Sequence, residues 1–242
     1  MKIKVRSIFI SDIHLGCRYS KTIELLEFLK CYDTEYLYLV GDIFDGWKLK
    51  NNFYWDNNCT FIIRHILGMI KSNGTIVKYV TGNHDEFLRE ITPCVFGDIL
   101  IADEFIHTTA DNKKLLIIHG DAFDHITKHW KWIYFLGDTA YSFAMFLNQW
   151  VNFFRRKLGL QYWSFSSVLK QNVKKAVNYI NSFEHFIAKH TLDNDCEGVV
   201  AGHIHQPCIK DIDGVKYYNC GDFVENCTAI IENLDGSMEL IN

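Results

Sequence analysis

The stretch Val5-Arg6-Ser7-Ile8-Phe9-Ile10-Ser11-Asp12-Ile13-His14 sets a pattern that the chain repeats four more times: a short β-rich run that ends in a polar cluster. Tyr36–Val40 runs into Gly41-Asp42-Ile43-Phe44-Asp45, and Thr75–Val80 into Gly82-Asn83-His84-Asp85. Leu115–Ile118 runs into His119-Gly120-Asp121, and Gly198–Ala201 into Gly202-His203-Ile204-His205. Runs of four to six Val, Ile, Leu or Tyr are too short for helices and suit strands buried on both faces. Helical stretches at Thr22–Lys30 and Cys59–Lys71 separate the early runs, which predicts βαβ units. Val215–Cys220, Thr228–Glu232 and Met238–Ile241, with turns at Asp213-Gly214 and Asp235-Gly236, read as antiparallel hairpins. Open α/β sheets bind ligands at the carboxyl ends of their strands, so the five clusters are expected to converge on one rim.

The residues at that rim suit divalent metal. Asp12, His14, Asp42, Asn83, His119, His203 and His205 offer carboxylate, amide and imidazole donors without thiolate, a set for Mn²⁺, Fe²⁺ or Zn²⁺ in a reactive rather than structural site. In Asp12-x-His14 and His203-x-His205 the i, i+2 spacing puts both side chains on one side of an extended segment. Seven ligands exceed the needs of one ion; two ions bridged by a carboxylate are the economical reading. Two ions roughly 3.5–4 Å apart clamp a phosphate ester during hydrolysis. His84, between Asn83 and Asp85, is the expected catalytic group that steadies the equatorial oxygens or protonates the leaving group, with Asp85 orienting its ring and favouring its protonated form. Asp45 and Asp121 are candidates for supporting the ligand loops. His65, His107, His185 and His190 belong to no cluster and receive no function.

Composition bounds the rest. At 242 residues, 48% hydrophobic and 22% charged, the chain is expected to form one sizeable domain, or a core carrying one insertion, and not a disordered or collagen-like fibre. Eight cysteines occur with no CxxC pair, and the opening MKIKVRSIFI leaves no room for a signal peptide before Asp12; both favour reduced thiols in a cytoplasm. No uncharged apolar run reaches the length needed to span a bilayer. The net charge of -4 divides unevenly. Residues 125–190 hold nine Lys or Arg against Asp138 and Glu184, leaving the remainder strongly acidic.

The ordered set D-x-H, GD-x-x-D, GNHD, HGD and GH-x-H, from Asp12 to His205, resembles that of the calcineurin-like metallophosphoesterases. The resemblance implies an α/β fold, a four-layer αββα metallophosphoesterase sandwich, spanning 1–242 with a helical cap inserted at 125–190. It implies Asp12, His14, Asp42 and His205 around one ion and Asn83, His119 and His203 around the other, with Asp42 shared. The strings SDIHLG, YLVGDIFDGW, GNHDEFLR, IIHGDAFD and YYNCGDFVE are similar to the UDP-2,3-diacylglucosamine pyrophosphohydrolase group of lipid A synthesis, which releases UMP and the diacylated sugar 1-phosphate. The likeness departs at His84, where that group carries Arg. On this reading Asn83, His84 and His203 also contact substrate, and Asn172 and Lys175 have the Asn-x-x-Lys spacing of the group's nucleotide contacts. Thirteen aromatics between Trp130 and Phe165, with Arg155-Arg156-Lys157 behind them, suit an interfacial element meeting anionic lipid. The expected partners are a lipid-linked nucleotide sugar and the cytoplasmic face of the inner membrane. Nucleic acid is not expected, because its basic residues would be spread along a groove.

Overall fold

The computed structural model describes residues 2–49, 53–126, 157, 159 and 180–242. Two sheets face each other. The first has seven strands in the order β12-β11-β1-β2-β3-β5-β4, formed by β1 (Ile3–Ile10), β2 (Tyr32–Val40), β3 (Ile76–Val80), β4 (Cys94–Phe96), β5 (Ile99–Ala102), β11 (Ala229–Glu232) and β12 (Met238–Ile241). The second has the order β6-β7-β8-β10-β9, from β6 (Glu104–Thr108), β7 (Lys114–Ile118), β8 (Gly198–Ala201), β9 (Cys208–Ile212) and β10 (Val215–Asn219). The mixed α/β architecture with two stacked sheets matches the predicted class.

The alternation of side chains along each strand explains the layering. In β1, Ile8 and Ile10 enter the core shared with helices α1 (Thr22–Cys31) and α3 (Asn57–Asn73), which the one-turn α2 (Gly46–Leu49) precedes, while Phe9 enters the core between the sheets. In β2, Leu37 and Leu39 turn to the helices and Tyr38 and Val40 to the second sheet, where Leu115, Ile117, Val200 and Tyr218 meet them. Being covered on both faces is what makes these runs continuously apolar.

Helix α1 buries Thr22, Leu25, Leu26 and Leu29 in one stripe and runs directly into β2. In α3, Cys59, Ile62, Ile66 and Met69 form the buried stripe. Asp56 caps the start by accepting from Cys59 N–H at 2.9 Å. Gly74, left-handed at φ 71°, closes the end by donating to the Ile70 carbonyl. Residues 180–193 form a further helix.

The structure divides the predicted carboxyl-terminal hairpins between the sheets. β11 and β12 pair antiparallel beside β1, whereas β10 pairs antiparallel with β9 and parallel with β8. Alternation reports a strand but not its partner, so this division was not readable. The chain separates into two compact units, Met1–Phe123 with His185–Asn242, and Asp124–Glu184. The predicted cap at 125–190 lies largely outside the described residues, as do Arg155, Arg156, Asn172, Lys175 and the thirteen aromatics. Lys157 is described and exposed. Among the described residues, no helix is long and apolar enough to cross a membrane. None of the eight cysteines, all among the described residues, forms a disulfide.

Candidate metal centre

All five polar clusters leave the carboxyl ends of strands, three from the first sheet (β1, β2, β3) and two from the second (β7, β8). Backbone hydrogen bonds join the resulting loops: Asp12 N–H to the Gly41 carbonyl, His14 N–H to the Asp42 carbonyl and Gly202 N–H to the His119 carbonyl. The glycines of the GD, GN and GH pairs are required by this crowding. A Cβ on Gly41 would collide with the His119 ring, one on Gly82 with the Asp42 carboxylate, and one on Gly202 with the Ser11 hydroxyl and Asp12. Each ligand's neighbour is thus small because another ligand lies against it.

Asp12, His14, Asp42 and His119 are buried, and Asn83, His203 and His205 are half-buried. Asp12 Oδ1 lies 3.2 Å from His205 Nε2 and 3.9 Å from His14 Nε2. Asp42 Oδ2 lies 3.9 Å from His14 Nε2 and 3.4 Å from His119 Nε2. Two groups of donor atoms result, Asp12–His14–His205 and Asp12–Asp42–His119, each compact enough to surround an ion. A third, His14–Asp45–His84, adjoins them.

Three observations test whether metal fits. Asp12 Oδ1, Asn83 Oδ1 and His119 Nε2 are buried with no hydrogen bond of good geometry, leaving bonding capacity that a bound cation would take up. Asp12, His14, Asp42, His203 and His205 all have left-handed backbones, with φ between 51° and 70°. For non-glycine residues such strain costs on the order of 1–3 kcal/mol each and persists where a site demands it. Finally, His119 Nδ1 faces the Val40 carbonyl at 2.9 Å; donating its proton there leaves Nε2 free as a ligand. The residues fit divalent ions.

Electrostatics without metal are consistent with this. Burial raises the Asp12 carboxyl, but His205 and His119 outweigh it and hold the group at about 2. Asp42 is likewise held below the usual carboxylate range, its burial outweighed by His119 and His14. Burial lowers His205, yet Asp12 and Asp222 carry it up to about 10. His119 is also raised, because Asp42 and Asp12 overcome its burial. Since an imidazole nitrogen must be deprotonated to bind a cation, metal binding at His119 and His205 is coupled to proton release.

A family model for calcineurin-like phosphoesterases matches residues 5–207. The chain belongs to the calcineurin-like phosphoesterase family. Among curated relatives, the UDP-2,3-diacylglucosamine hydrolase of Wigglesworthia glossinidia brevipalpis is 26% identical, over 87% of this chain and 84% of the relative. The protein of the same name from Neisseria gonorrhoeae is 27% identical, over 95% of this chain and 94% of the relative. A solved hypothetical protein from Pyrococcus horikoshii OT3 shares the fold, with a TM-score of 0.53 at 10% identity, over 99% of this chain and 88% of that one. This phosphoesterase is accordingly a metal-dependent hydrolase of phosphoric anhydrides or esters.

His84 stands at the edge of the centre. Its backbone N–H donates to Asp42 Oδ1 at 2.7 Å, its ring meets that of His14 edge-on at 4.4 Å, and Trp47 lies 3.7 Å away across its face. The carboxylate that holds its ring differs from the one expected. Asp45 Oδ1 lies 3.1 Å from His84 Nδ1. Asp85 is instead fully buried, accepting from Ile43 N–H, Gly82 N–H and the Tyr79 hydroxyl. These bonds join the Asp42 loop to the Asn83 loop, and it is Asp45, not Asp85, that stands within hydrogen-bond distance of the His84 ring. Adjacency in sequence suggested Asp85; the turn after β3 sends its side chain inward. Asp121 has a supporting role too, receiving a bidentate pair from Arg89 at 2.8 and 2.9 Å.

Sequence reasoning missed Asp222. It is fully buried, and its Oδ2 lies 3.4 Å from His205 Nδ1. The available signal was Gly221-Asp222, which repeats the Gly-Asp pair of Gly41-Asp42 and Gly120-Asp121.

Proposed function

We propose that the protein hydrolyses the pyrophosphate of UDP-2,3-diacylglucosamine, giving UMP and the diacylated sugar 1-phosphate, with two divalent ions, Mn²⁺ before Fe²⁺ or Zn²⁺. The observation that carries this reading is the likeness to hydrolases of that name along nearly the whole of both chains. Asp12, His14, Asp42 and His205 hold one ion and Asn83, His119 and His203 the other. The position of Asp42 Oδ2 between His14 and His119 supports it as the shared ligand. Bound ions of this kind lower the pKa of water and neutralise charge developing on the phosphate.

The chain's own groups supply the rest. The buried carboxylates cannot leave their places, since Asp12 Oδ2 accepts from the Ser11 hydroxyl and from His203 N–H, and Asp42 Oδ1 accepts from His84 N–H. Holding the ligands before substrate arrives spares reorganisation during the reaction. With Nδ1 of His84 engaged by Asp45, the proton that His84 offers to a phosphate oxygen or leaving group is the one on Nε2. Asn83, His203, Asn172 and Lys175 are the proposed substrate contacts.

Incubation with Mn²⁺ and UDP-2,3-diacylglucosamine should release UMP, read by mass spectrometry. Turnover of a simple phosphodiester without UMP would transfer the same chemistry to another substrate. The basic segment Arg155-Arg156-Lys157 supports peripheral binding to the cytoplasmic face of the inner membrane. Replacing those three residues by Ser should reduce sedimentation with anionic vesicles, and unchanged sedimentation removes the membrane reading.

A further inference from the structure

We propose that Asp222 is a positioning residue for the metal centre, fixing the tautomer and tilt of the His205 ring. The His205 ring lies between two carboxylates, with Nε2 3.2 Å from Asp12 Oδ1 and Nδ1 3.4 Å from Asp222 Oδ2. Only one nitrogen of a neutral imidazole carries the proton. With that proton on Nδ1, facing Asp222, Nε2 presents its lone pair to the donor cluster.

Asp222 is itself immobile. Its Oδ1 accepts from the backbone N–H groups of Val224, Glu225 and Asn226 at 2.7, 2.5 and 3.1 Å. The Asn226 amide donates to Asp222 Oδ2 at 2.6 Å and to the His205 carbonyl at 3.1 Å, so one side chain ties the carboxylate to the backbone of the ligand it faces. The same loop meets the backbone of the other residue, because Phe223 N–H donates to the Asp12 main-chain carbonyl. The Gly221–Asn226 loop therefore registers His205 against Asp12 from below. It parallels His119, whose Nδ1 is held by the Val40 carbonyl, but with a full negative charge that also strengthens the imidazole as a donor.

The inference rests on the reading of His205 as a metal ligand, and the experiment separates the two. Mn²⁺ stoichiometry and affinity are measured by titration calorimetry for the unmodified protein, His205→Ala and Asp222→Asn. Asn at 222 keeps an oxygen for the three backbone donors and removes the charge. The expected result is two ions for the unmodified protein and loss or severe weakening of one in His205→Ala. In Asp222→Asn one ion should weaken by roughly 10–100-fold while the other is unchanged. Equal binding by Asp222→Asn and the unmodified protein, with His205→Ala deficient, overturns the role of Asp222 alone. Unchanged binding by His205→Ala overturns the ligand reading beneath it. A measurement independent of any variant's folding is a long-range ¹H–¹⁵N spectrum of the zinc-loaded protein. A proton on His205 Nδ1 with metal on Nε2 supports the proposal, and the reverse tautomer overturns it.

Discussion

Among the described residues two buried polar clusters invite comparison, and one of them has the marks of a site. At the strand ends, Asp12, His14, Asp42, His119 and His205 point donor atoms at one another, all but His119 have left-handed backbones, and Asp12 Oδ1 and His119 Nε2 are buried without a hydrogen bond. Nearer the start of β1, Ser7, His107, Glu232 and Tyr38 form a cluster of similar chemistry between the sheets. The Glu232 carboxylate accepts from the Ser7 hydroxyl at 2.5 Å and Ala110 N–H at 2.8 Å, and lies 2.7 Å from His107 Nε2. The Tyr38 hydroxyl stands 2.9 Å from His107 Nδ1, and Lys78 donates to that hydroxyl at 3.2 Å. Ser, His and Glu together thus suggest a triad by composition, yet they are buried and mutually satisfied. What distinguishes chemistry from architecture is unmet bonding capacity held in place by strain, not the residue types.

The largest effect that sharpens this contrast is expected from Asp42→Ala. Removing the carboxylate that lies between His14 and His119 should lower turnover on the order of 10³-fold or more, even with saturating Mn²⁺. Retained turnover would break the two-ion reading. His84→Ala should follow, with a loss of about 10²–10⁴-fold at unchanged metal content, measured by plasma mass spectrometry on the same samples. Metal lost along with activity would reassign His84, with Asp45 and His14, to ion binding, a grouping that their geometry permits.

The rim was legible because its constraints are short in sequence. A buried strand, a glycine made small by the neighbouring ligand, and a carboxylate or imidazole one residue on can all be read within six positions, as in Val40-Gly41-Asp42. α3 was legible for the same reason, its apolar stripe lying between the Asp56 cap and the Gly74 stop. β4, β5 and β6 were not foreseen. They are three to five residues long, and exposed positions such as Val95, Phe96 and Ile106 blur their alternation. Asp45 and Asp222 show the harder limit. Asp45 meets His84 across 39 positions, and Asp222 meets His205 across the β9–β10 hairpin. No local pattern carries either pairing.

A smaller effect, of another kind, should follow from Glu232→Gln. The amide accepts fewer of the donors now aimed at the carboxylate, so stability should fall by about 1–3 kcal/mol in denaturant unfolding. Turnover of the folded fraction and metal affinity should not change, since no predicted ligand touches Glu232. A variant that keeps its stability but loses turnover would break the division between the two clusters.

The pH dependence of that difference is the finest test. Burial raises the Glu232 carboxyl, but His107, Ser7 and the Ala110 N–H outweigh it and hold the group below its ordinary value. A carboxyl depressed in the folded state binds fewer protons there than in the unfolded chain, so its contribution to stability is complete above its unfolded pKa of about 4.5. That contribution drains away as pH falls through the lower folded value. The stability gap between the unmodified protein and Glu232→Gln should therefore be level from pH 7 to about 5 and narrow steadily below that. A gap that widens on acidification would mean that the cluster prefers a protonated Glu232. The carboxylate would then be a tolerated cost between the sheets rather than the acceptor that its three neighbours are arranged to satisfy.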